Sequence, residues 1–362
     1  NCVIWYKPAT SFPYVGGVSG IVLSWVLSPV ASGFIASAVF YMVRGTVLRK
    51  AYDNVYRIYI LYPVLVGSTL TLNTFFIIYK GAKGIGLHKT DLGITMAIAV
   101  GSGVAGGCAI VPCIKNIRKK INNKYAEKVT PIVQDEETQT IELPPVESLH
   151  TEPTVIDITD NDFTRVNDIH NSAEKFDPRT EELFRYLQIF TAMCDSFSHG
   201  ANDVANAIGP FAAIYTIYQV GDVRKNSVMD ANAYWILTIG GLGIAVGLFV
   251  YGYKIIVALG TKLCKITPSR GVAIELSSAI VIITGSRLKI PLSTTHCQVG
   301  ATVGVGLLEN MKTCSGINSR VLLKTIVGWF ITCIIVGSTT AVFVLQGVKA
   351  PSSLRCITNT TT

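Results

Sequence analysis

Charged residues are scarce in this sequence, and long parts of it contain none. They make up 15% of the 362 residues, whereas soluble domains carry roughly a quarter. Residues 15–43, 58–79, 92–114 and 233–253 form four stretches without any charge. Each is long enough to cross a bilayer core of roughly 30 Å as a helix of about 20 residues. The scarcity of charge excludes an ordinary soluble domain and predicts an all-α polytopic membrane protein.

Two further patterns are missing. The sequence lacks the alternating segments of about ten residues that a transmembrane barrel needs, and helices are the alternative that satisfies backbone polar groups in lipid. The nine cysteines form no CxxC pair and no metal-ligand spacing, so we predict no structural metal site.

The basic residues follow a pattern of their own. The net charge is +8, but the basic clusters at residues 44–57, 115–128 and 262–270 lie at the ends of apolar stretches. We therefore interpret the charge as topology, with these clusters in the cytoplasm, and expect no nucleic acid partner. Lys80, Lys83 and Lys89 then fall outside, which opposes this assignment.

A polar segment divides the chain. Residues 130–182 are rich in Asp, Glu, Thr and Pro, which predicts a long cytoplasmic loop between two membrane halves. The expected organisation has four parts: connecting transmembrane helices in 1–114, a largely disordered cytoplasmic loop in 115–182, a membrane repeat in 183–346 and an external tail in 347–362.

One polar group of residues lies inside a predicted helix of residues 183–218. Spacings of 4, 3, 1 and 3 place these side chains on one helical face: Asp195, His199, Asn202, Asp203 and Asn206. A charge at the bilayer centre costs about 2.5–3.5 kcal/mol, so such a face implies partners. Gly200, Gly209 and Pro210 are expected to loosen the helix and free carbonyl oxygens for a hard cation. The alternative is that the polar groups join helices by hydrogen bonds.

A second polar segment covers residues 269–296. The apolar pieces before Gly285 and in 291–308 are each shorter than a full span, which predicts a re-entrant helical hairpin. Pro291 suits a first helical turn. Ser293, Thr294 and Thr295 then add hydroxyls to the free N–H groups and the dipole of a helix start, which favours an anion site. The alternative is an ordinary Ser/Thr helix cap.

Glu275 precedes this hairpin turn, and two roles stay open for it. It is either a helix partner for Arg270 or Arg287, or a residue of the site.

Two motifs carry a family resemblance. Residues 200–206, GANDVAN, and residues 291–300, PLSTTHCQVG, resemble the two signature motifs of the inorganic phosphate transporter (PiT) family. Glu275 lies where that family has an acidic residue before the second motif. The resemblance implies an inverted-repeat transporter in which each repeat contains one such motif and one hairpin. Only the second copy of each is found here, so we expect the first copies upstream of Asn1 and the C-terminal end of the first repeat within residues 1–114.

The resemblance also implies roles for individual residues. Asn202, Asp203 and Asn206 are expected to bind sodium, with Asp203 and Asn202 as metal ligands. The hydroxyls of residues 293–295 are expected to contact phosphate, and Glu275 to act in coupling or gating. The implied function is sodium-coupled symport of inorganic phosphate across the plasma membrane, without enzymatic activity and with no cofactor beyond the co-transported Na+.

Three alternatives stay open. Asp195, His199 and Glu275 could relay protons, which would make the protein a proton-coupled phosphate symporter. A non-transporting phosphate sensor or receptor of the same fold is the second alternative, and an intramembrane hydrolase using Asp203 and His199 is the third. The expected partners are phosphate, sodium ions, the lipid bilayer and the missing N-terminal repeat, with a homo-oligomer left open.

Overall fold

The computed structural model describes most of the chain. The described residues are 7–8, 15–50, 52, 55–78, 91–129, 160–221, 234–288, 290, 292–309 and 316–349. Residues 80, 83, 89, 289 and 291, and the expected tail from residue 350 onward, lie outside them, as does the side chain of Arg287.

Helices dominate these residues. They are α1 (Val18–Val43), α2 (Val55–Phe76), α3 (Leu92–Val129), α4 (Asp160–Ser172), α5 (Pro178–Val220), α6 (Tyr234–Gly247), α7 (Tyr253–Ala258), α8 (Pro268–Arg287), α9 (Thr294–Glu309) and α10 (Ser319–Lys349). Short π-helical turns at Arg44–Leu48, Leu248–Gly252 and Leu259–Leu263 extend α1, α6 and α7. Two strands of two residues each, β1 (Lys7–Pro8) and β2 (Val15–Gly16), pair in antiparallel fashion before α1.

The predicted membrane character is confirmed. Within the described residues, five helical stretches are long and apolar enough to cross a bilayer: Val18–Leu48, Tyr56–Phe76, Leu92–Ala126, Tyr234–Leu263 and Ser319–Lys349. Helices α5, α8 and α9 are not among them, because polar residues interrupt the apolar sequence of α5 and α8, and α9 has only 16 residues. The functional motifs lie on these three helices.

The chain forms two compact units, Asn1–Ile317 and Asn318–Thr362. In the first unit α1 packs against α8 and α9, α2 against α3, and α5 against α8. In the second, Asn318 begins α10 by accepting a hydrogen bond from Val321 N through Oδ1 at 3.4 Å. These units differ from the four parts expected from the sequence, which stay predictions.

The segment expected to form a loop, residues 115–182, is partly helical. Helix α3 continues to Val129 because residues 115–129 are mostly good helix formers. Helix α5 begins at Pro178 because the Asp177 carboxylate accepts the Arg179 N–H at 2.8 Å and proline suits the first turn. The expectation of disorder thus does not hold for these parts, and residues 130–159 lie outside the described residues.

Helices α1 and α9 approach each other at glycines. A Cβ atom on Gly300 would overlap the backbone of Pro29, and one on Gly304 would overlap the backbone of Gly33. Ser37 Oγ donates to the carbonyl oxygen of Gly304 at 2.8 Å. Small residues allow this backbone contact, which is a common way to associate helices in membranes. The contact fixes α9 against α1.

A buried ion pair joins both ends of the hairpin formed by α8 and α9. Arg270, 1% exposed, donates from Nε to Glu309 Oε1 at 2.8 Å. Arg270 also donates to the carbonyl of Glu174, and the Glu174 N–H donates to Glu309 Oε2 at 2.7 Å. Arg270 is therefore the partner of Glu309 and not of Glu275, so Arg270 is not the helix partner considered for Glu275, whereas the pairing with Arg287 stays a prediction.

An exposed pair extends this arrangement toward α1. Arg49 binds the Glu174 carboxylate with two nitrogens at 2.8 and 2.9 Å. Its hydrogen bonds hold the pKa of Glu174 below the ordinary value, so this carboxylate stays charged.

We predict that Glu309→Gln destabilises the protein strongly. The change leaves the Arg270 guanidinium buried without its counter-ion, which typically costs about 3–5 kcal/mol. The matched control Lys124→Gln removes the partly exposed pair with Glu182, which is worth about 1 kcal/mol or less. Thermal melting of the full-length protein in detergent compares the two variants, and similar losses of Tm would contradict the assigned role of the buried pair.

We also predict that Gly304→Val separates α9 from α1. The valine side chain has no room against Gly33, so the Tm should fall and the hairpin should become more accessible to protease. Gly241→Val is the control, because a side chain there meets open space. A protease pattern that is the same in both variants would show that the glycine contact does not hold α9.

Candidate functional site: a polar seam on helix α5

One face of α5 carries polar side chains at every turn. Their spacing of three or four residues keeps them on one side of the helix: Gln188, Thr191, Asp195, His199, Asn202 and Asn206. Helix α8 packs against α5, and its polar residues face several of them. We call these α5 residues, together with Asp203 and their partners on α8 and α9, the polar seam.

Glu275 lies at one end of the seam. The Thr191 hydroxyl donates to Glu275 Oε2, and Gln188 Nε2 donates to Oε1 at 3.5 Å. The carboxylate is half-buried and faces neutral donors of α5. In this arrangement it contacts none of the other predicted site residues, so the structure separates Glu275 from the two motifs.

His199 and Asp195 occupy the middle of the seam. His199 Nε2 lies 3.1 Å from Ser278 Oγ and 3.3 Å from Asp195 Oδ1. Asp195 is 6% exposed, so its charge depends on this neighbour for compensation.

Asp203 connects the two motifs. The Thr294 hydroxyl lies 3.1 and 3.0 Å from the two oxygens of the Asp203 carboxylate, to which it donates. Asn202 Nδ2 lies 3.4 Å from Asp203 Oδ1, and Asn202 Oδ1 accepts from Ser286 Oγ at 2.9 Å. The structure thereby brings the GANDVAN segment onto the start of α9 and the end of α8.

Asn206 lies on the exposed side of this contact. Its Nδ2 donates to the carbonyl oxygen of Leu292 at 3.5 Å. Helix α5 continues through Gly200, Gly209 and Pro210, so the expected loosening does not appear as a break. Pro210 has no N–H, however, and leaves the carbonyl of Asn206 without its helical donor.

Helix α9 begins at Thr294, later than the start expected at Pro291. Ser293 lies just before it and accepts the His296 N–H through Oγ at 3.4 Å, which is the geometry of a helix cap. Thr294 is buried, whereas the Thr295 side chain is exposed at the first turn. The Ser293 hydroxyl therefore caps the helix, the Thr294 hydroxyl binds Asp203, and the Thr295 side chain is exposed.

Sequence reasoning missed several members of the seam. They are Gln188, Thr191, Ser278 and Ser286. The spacing of residues 188, 191, 195 and 199 would have identified the first two, since it continues the polar face upstream. The α8 hydroxyls carry no such signal, because small hydroxyl residues are common inside membrane helices.

The donor set suits a hard cation. In the described part of the chain, Asp203 forms no ion pair with Lys or Arg, and no group of three His, Cys, Asp or Glu residues could hold a metal ion. Carboxylate, amide, hydroxyl and carbonyl oxygens are what remain around Asp203. Such oxygens bind hard cations, whereas nitrogen and sulfur ligands suit transition metals.

Comparison with known proteins identifies the family. The family model described as "Phosphate transporter family" matches residues 1–340. The chain belongs to this family. The resemblance found in the two motifs is thereby confirmed, and the family consists of transporters and not of enzymes such as the hydrolase considered above.

Individual members of the phosphate transporter family are also similar. The chain is 43% identical over 176 residues to the phosphate-repressible phosphate permease pho-4 of Neurospora crassa, a match that covers 48% of this chain and 29% of the permease. It is 44% identical over 164 residues to the human sodium-dependent phosphate transporter 1, covering 45% of this chain and 23% of the transporter. The matched part thus spans less than a third of either relative.

A solved structure shares the fold. A chain described as "The sodium-dependent phosphate transporter" superposes with a TM-score of 0.65 at 24% sequence identity, covering 93% of this chain and 69% of that chain. The likeness supports the helical arrangement described above.

Proposed function

We propose that this chain is part of a sodium-coupled symporter of inorganic phosphate, a multi-pass protein of the plasma membrane. The observation that carries the proposal is the bond from the Thr294 hydroxyl to the Asp203 carboxylate, which joins the cation-type and anion-type motifs. Family membership supports it, as do the names of the two relatives, a phosphate permease and a sodium-dependent phosphate transporter.

Sodium binds at Asp203. The carboxylate supplies the charge, and Asn202, Asn206 and the carbonyl left free by Pro210 supply further oxygens. With no basic side chain paired to Asp203 among the described residues, a bound cation is the natural source of compensation.

Phosphate binds at the start of α9. The first backbone N–H groups of a helix point outward and favour an anion. Thr295 is open to such a ligand, and Ser293 uses only its oxygen in the cap bond, so its own proton is free to donate. Thr294 completes the set once its hydroxyl leaves Asp203.

Thr294 therefore couples the two ions. Without a cation, its proton is bonded to Asp203 and is withheld from phosphate. A sodium ion on Asp203 satisfies the carboxylate and allows the hydroxyl to turn toward the anion. Because coupling between two binding sites is reciprocal, phosphate strengthens sodium binding by the same factor.

Transport requires that the site face each side of the membrane in turn. We take α8 and α9 as a re-entrant hairpin in the second of two inverted repeats, with the first repeat completing the site, and transport as a rocking of one repeat against the other. Glu275 lies where α8 meets α5 and acts in coupling or gating through Gln188 and Thr191, which change partners if these helices slide.

We predict that Asp203→Asn abolishes sodium-dependent phosphate uptake. Asparagine removes the charge that holds the cation but preserves the shape of the side chain.

Thr294→Val removes the coupling hydroxyl and should lower uptake at least tenfold, as expected for about 1.4 kcal/mol or more. Thr294→Ser keeps the hydroxyl and should retain uptake. Radiolabelled phosphate uptake by the full-length protein in sodium and in choline medium measures all three.

Each alternative has its own result in this assay. Uptake that ignores sodium, follows a pH gradient and survives Asp203→Asn would replace the sodium assignment with proton coupling. Absence of uptake under any gradient, with phosphate still bound by the purified protein, would favour the sensor.

We predict that Glu275→Gln slows uptake without weakening phosphate binding, because Glu275 does not touch Asp203 or the start of α9. The glutamine keeps a hydrogen-bond partner for Thr191 but loses the charge. Glu182→Gln, in the first turns of α5 and outside the seam, is the control. Uptake rate and phosphate affinity are measured on both variants, and a loss of affinity equal to the loss of rate would make Glu275 a binding residue instead.

A further inference from the structure

A basic pocket that shares no residue with the polar seam lies where α2 begins and α3 leaves its apolar stretch. It has a volume of about 480 Å³ and is lined by Lys115, Arg118, Lys119, three asparagines and Tyr59. This size is within the range of roughly 300–1,000 Å³ typical of small-ligand sites. The pocket combines three cations with amide and hydroxyl donors, which is a set suited to a polyanion.

Several basic residues of the fold are neutralised by carboxylates, and the cations of this pocket are not among them. Arg49, Lys124, Arg179, Arg185 and Arg270 all pair with carboxylates. Within the described chain, no carboxylate lies within ion-pair distance of Lys115, Arg118 or Lys119. Arg118 stacks its guanidinium over Tyr52 at 5.0 Å, and its buried Nε has no acceptor. Membrane topology explains positive charge at this end, but it does not require a pocket of unpaired donors.

The surroundings of the pocket point to the class of ligand. Lys115 is the first charged residue after the uncharged stretch of residues 92–114, so it lies at the border of the apolar zone. Beside it, Val111 is exposed one turn earlier on α3, and Ile60 is exposed next to Tyr59 on α2. An anionic headgroup in the pocket would have its acyl chains against such apolar surface. Basic pockets between membrane helices bind phosphorylated lipid headgroups in this way.

We propose that this pocket binds a phosphoinositide, an anionic phospholipid whose headgroup carries phosphate monoesters. Lys115 and Lys119 contact the headgroup phosphates, the asparagine amides of the lining donate to them, and Arg118 adds positive charge beside them. The apolar faces of α2 and α3 hold the acyl chains. The site is separate from the transported phosphate and does not depend on the function proposed above.

The test is binding of a short-chain phosphatidylinositol bisphosphate to the purified full-length protein by microscale thermophoresis. Replacing both pocket lysines, Lys115→Gln with Lys119→Gln, should weaken binding roughly 20- to 30-fold, since each cation contributes about 1 kcal/mol. The matched control is Lys50→Gln with Lys120→Gln, which removes two exposed charges outside the pocket and should change affinity less than threefold. Lys115→Arg with Lys119→Arg keeps both charges and should bind the lipid as tightly as the parent.

Three results would overturn the proposal. Equal losses in the pocket and control variants would mean that general charge attracts the lipid. Unchanged binding in the pocket variant would place the lipid elsewhere. Free inositol trisphosphate bound as tightly as the lipid, and weakened by the same pocket variant, would make the ligand a soluble anion. Melting curves of the variants are expected to match that of the parent, because both lysines are exposed. These curves show whether a loss of binding comes from a folding defect.

Discussion

The arrangement of α5, α8 and α9 depends on one constraint, that polar groups on a helix packed within a membrane protein need partners from neighbouring helices. Helix α5 carries carboxylates, amides and an imidazole on one face, and such groups are costly at membrane depth unless they are paired. Hydroxyls of α8 and α9 serve the polar groups of α5, with Ser278 beside His199, Ser286 donating to Asn202 and Thr294 donating to Asp203. In the other direction, Thr191 of α5 donates to Glu275 of α8. A slide of one helix past the other by a single turn would break several of these bonds at once, so the seam sets the register of the hairpin.

Close backbone packing at glycines holds the helices in that register. Gly300 and Gly304 hold α9 against α1, and Gly103 and Gly107 hold α3 against α2 in the same way. In lipid, apolar side chains gain little by leaving one apolar environment for another, so surface contact and hydrogen bonds associate the helices. The contact of these glycines with α1 thus helps to position α9, which begins next to Ser293.

The sequence was sufficient for features that local pattern controls. Uncharged stretches of about 20 residues indicated the spans, and the spacing of residues 195–206 indicated a polar face, because both follow from helix geometry. Which side chains pair with each other across helices could not be predicted in the same way. Arg270 is five residues from Glu275 but pairs with Glu309, and Ser293 rather than Pro291 marks the start of α9. These outcomes depend on which helices meet, and residues 115–129 became helical because propensity outweighed their charge.

The distribution of positive charge bears on why transport would need sodium at all. An arginine fixed beside the start of α9 would bind phosphate by itself, and a second ion would then add little. Within the described part of the chain the buried guanidinium of Arg270 is instead neutralised by Glu309, and that of Arg44 lies 3.7 Å from Glu174. With Asp203 held only by neutral donors, the local charge is negative and phosphate is repelled until a cation arrives. In the proposed mechanism a cation therefore acts twice, since it offsets that negative charge and releases the Thr294 hydroxyl for phosphate.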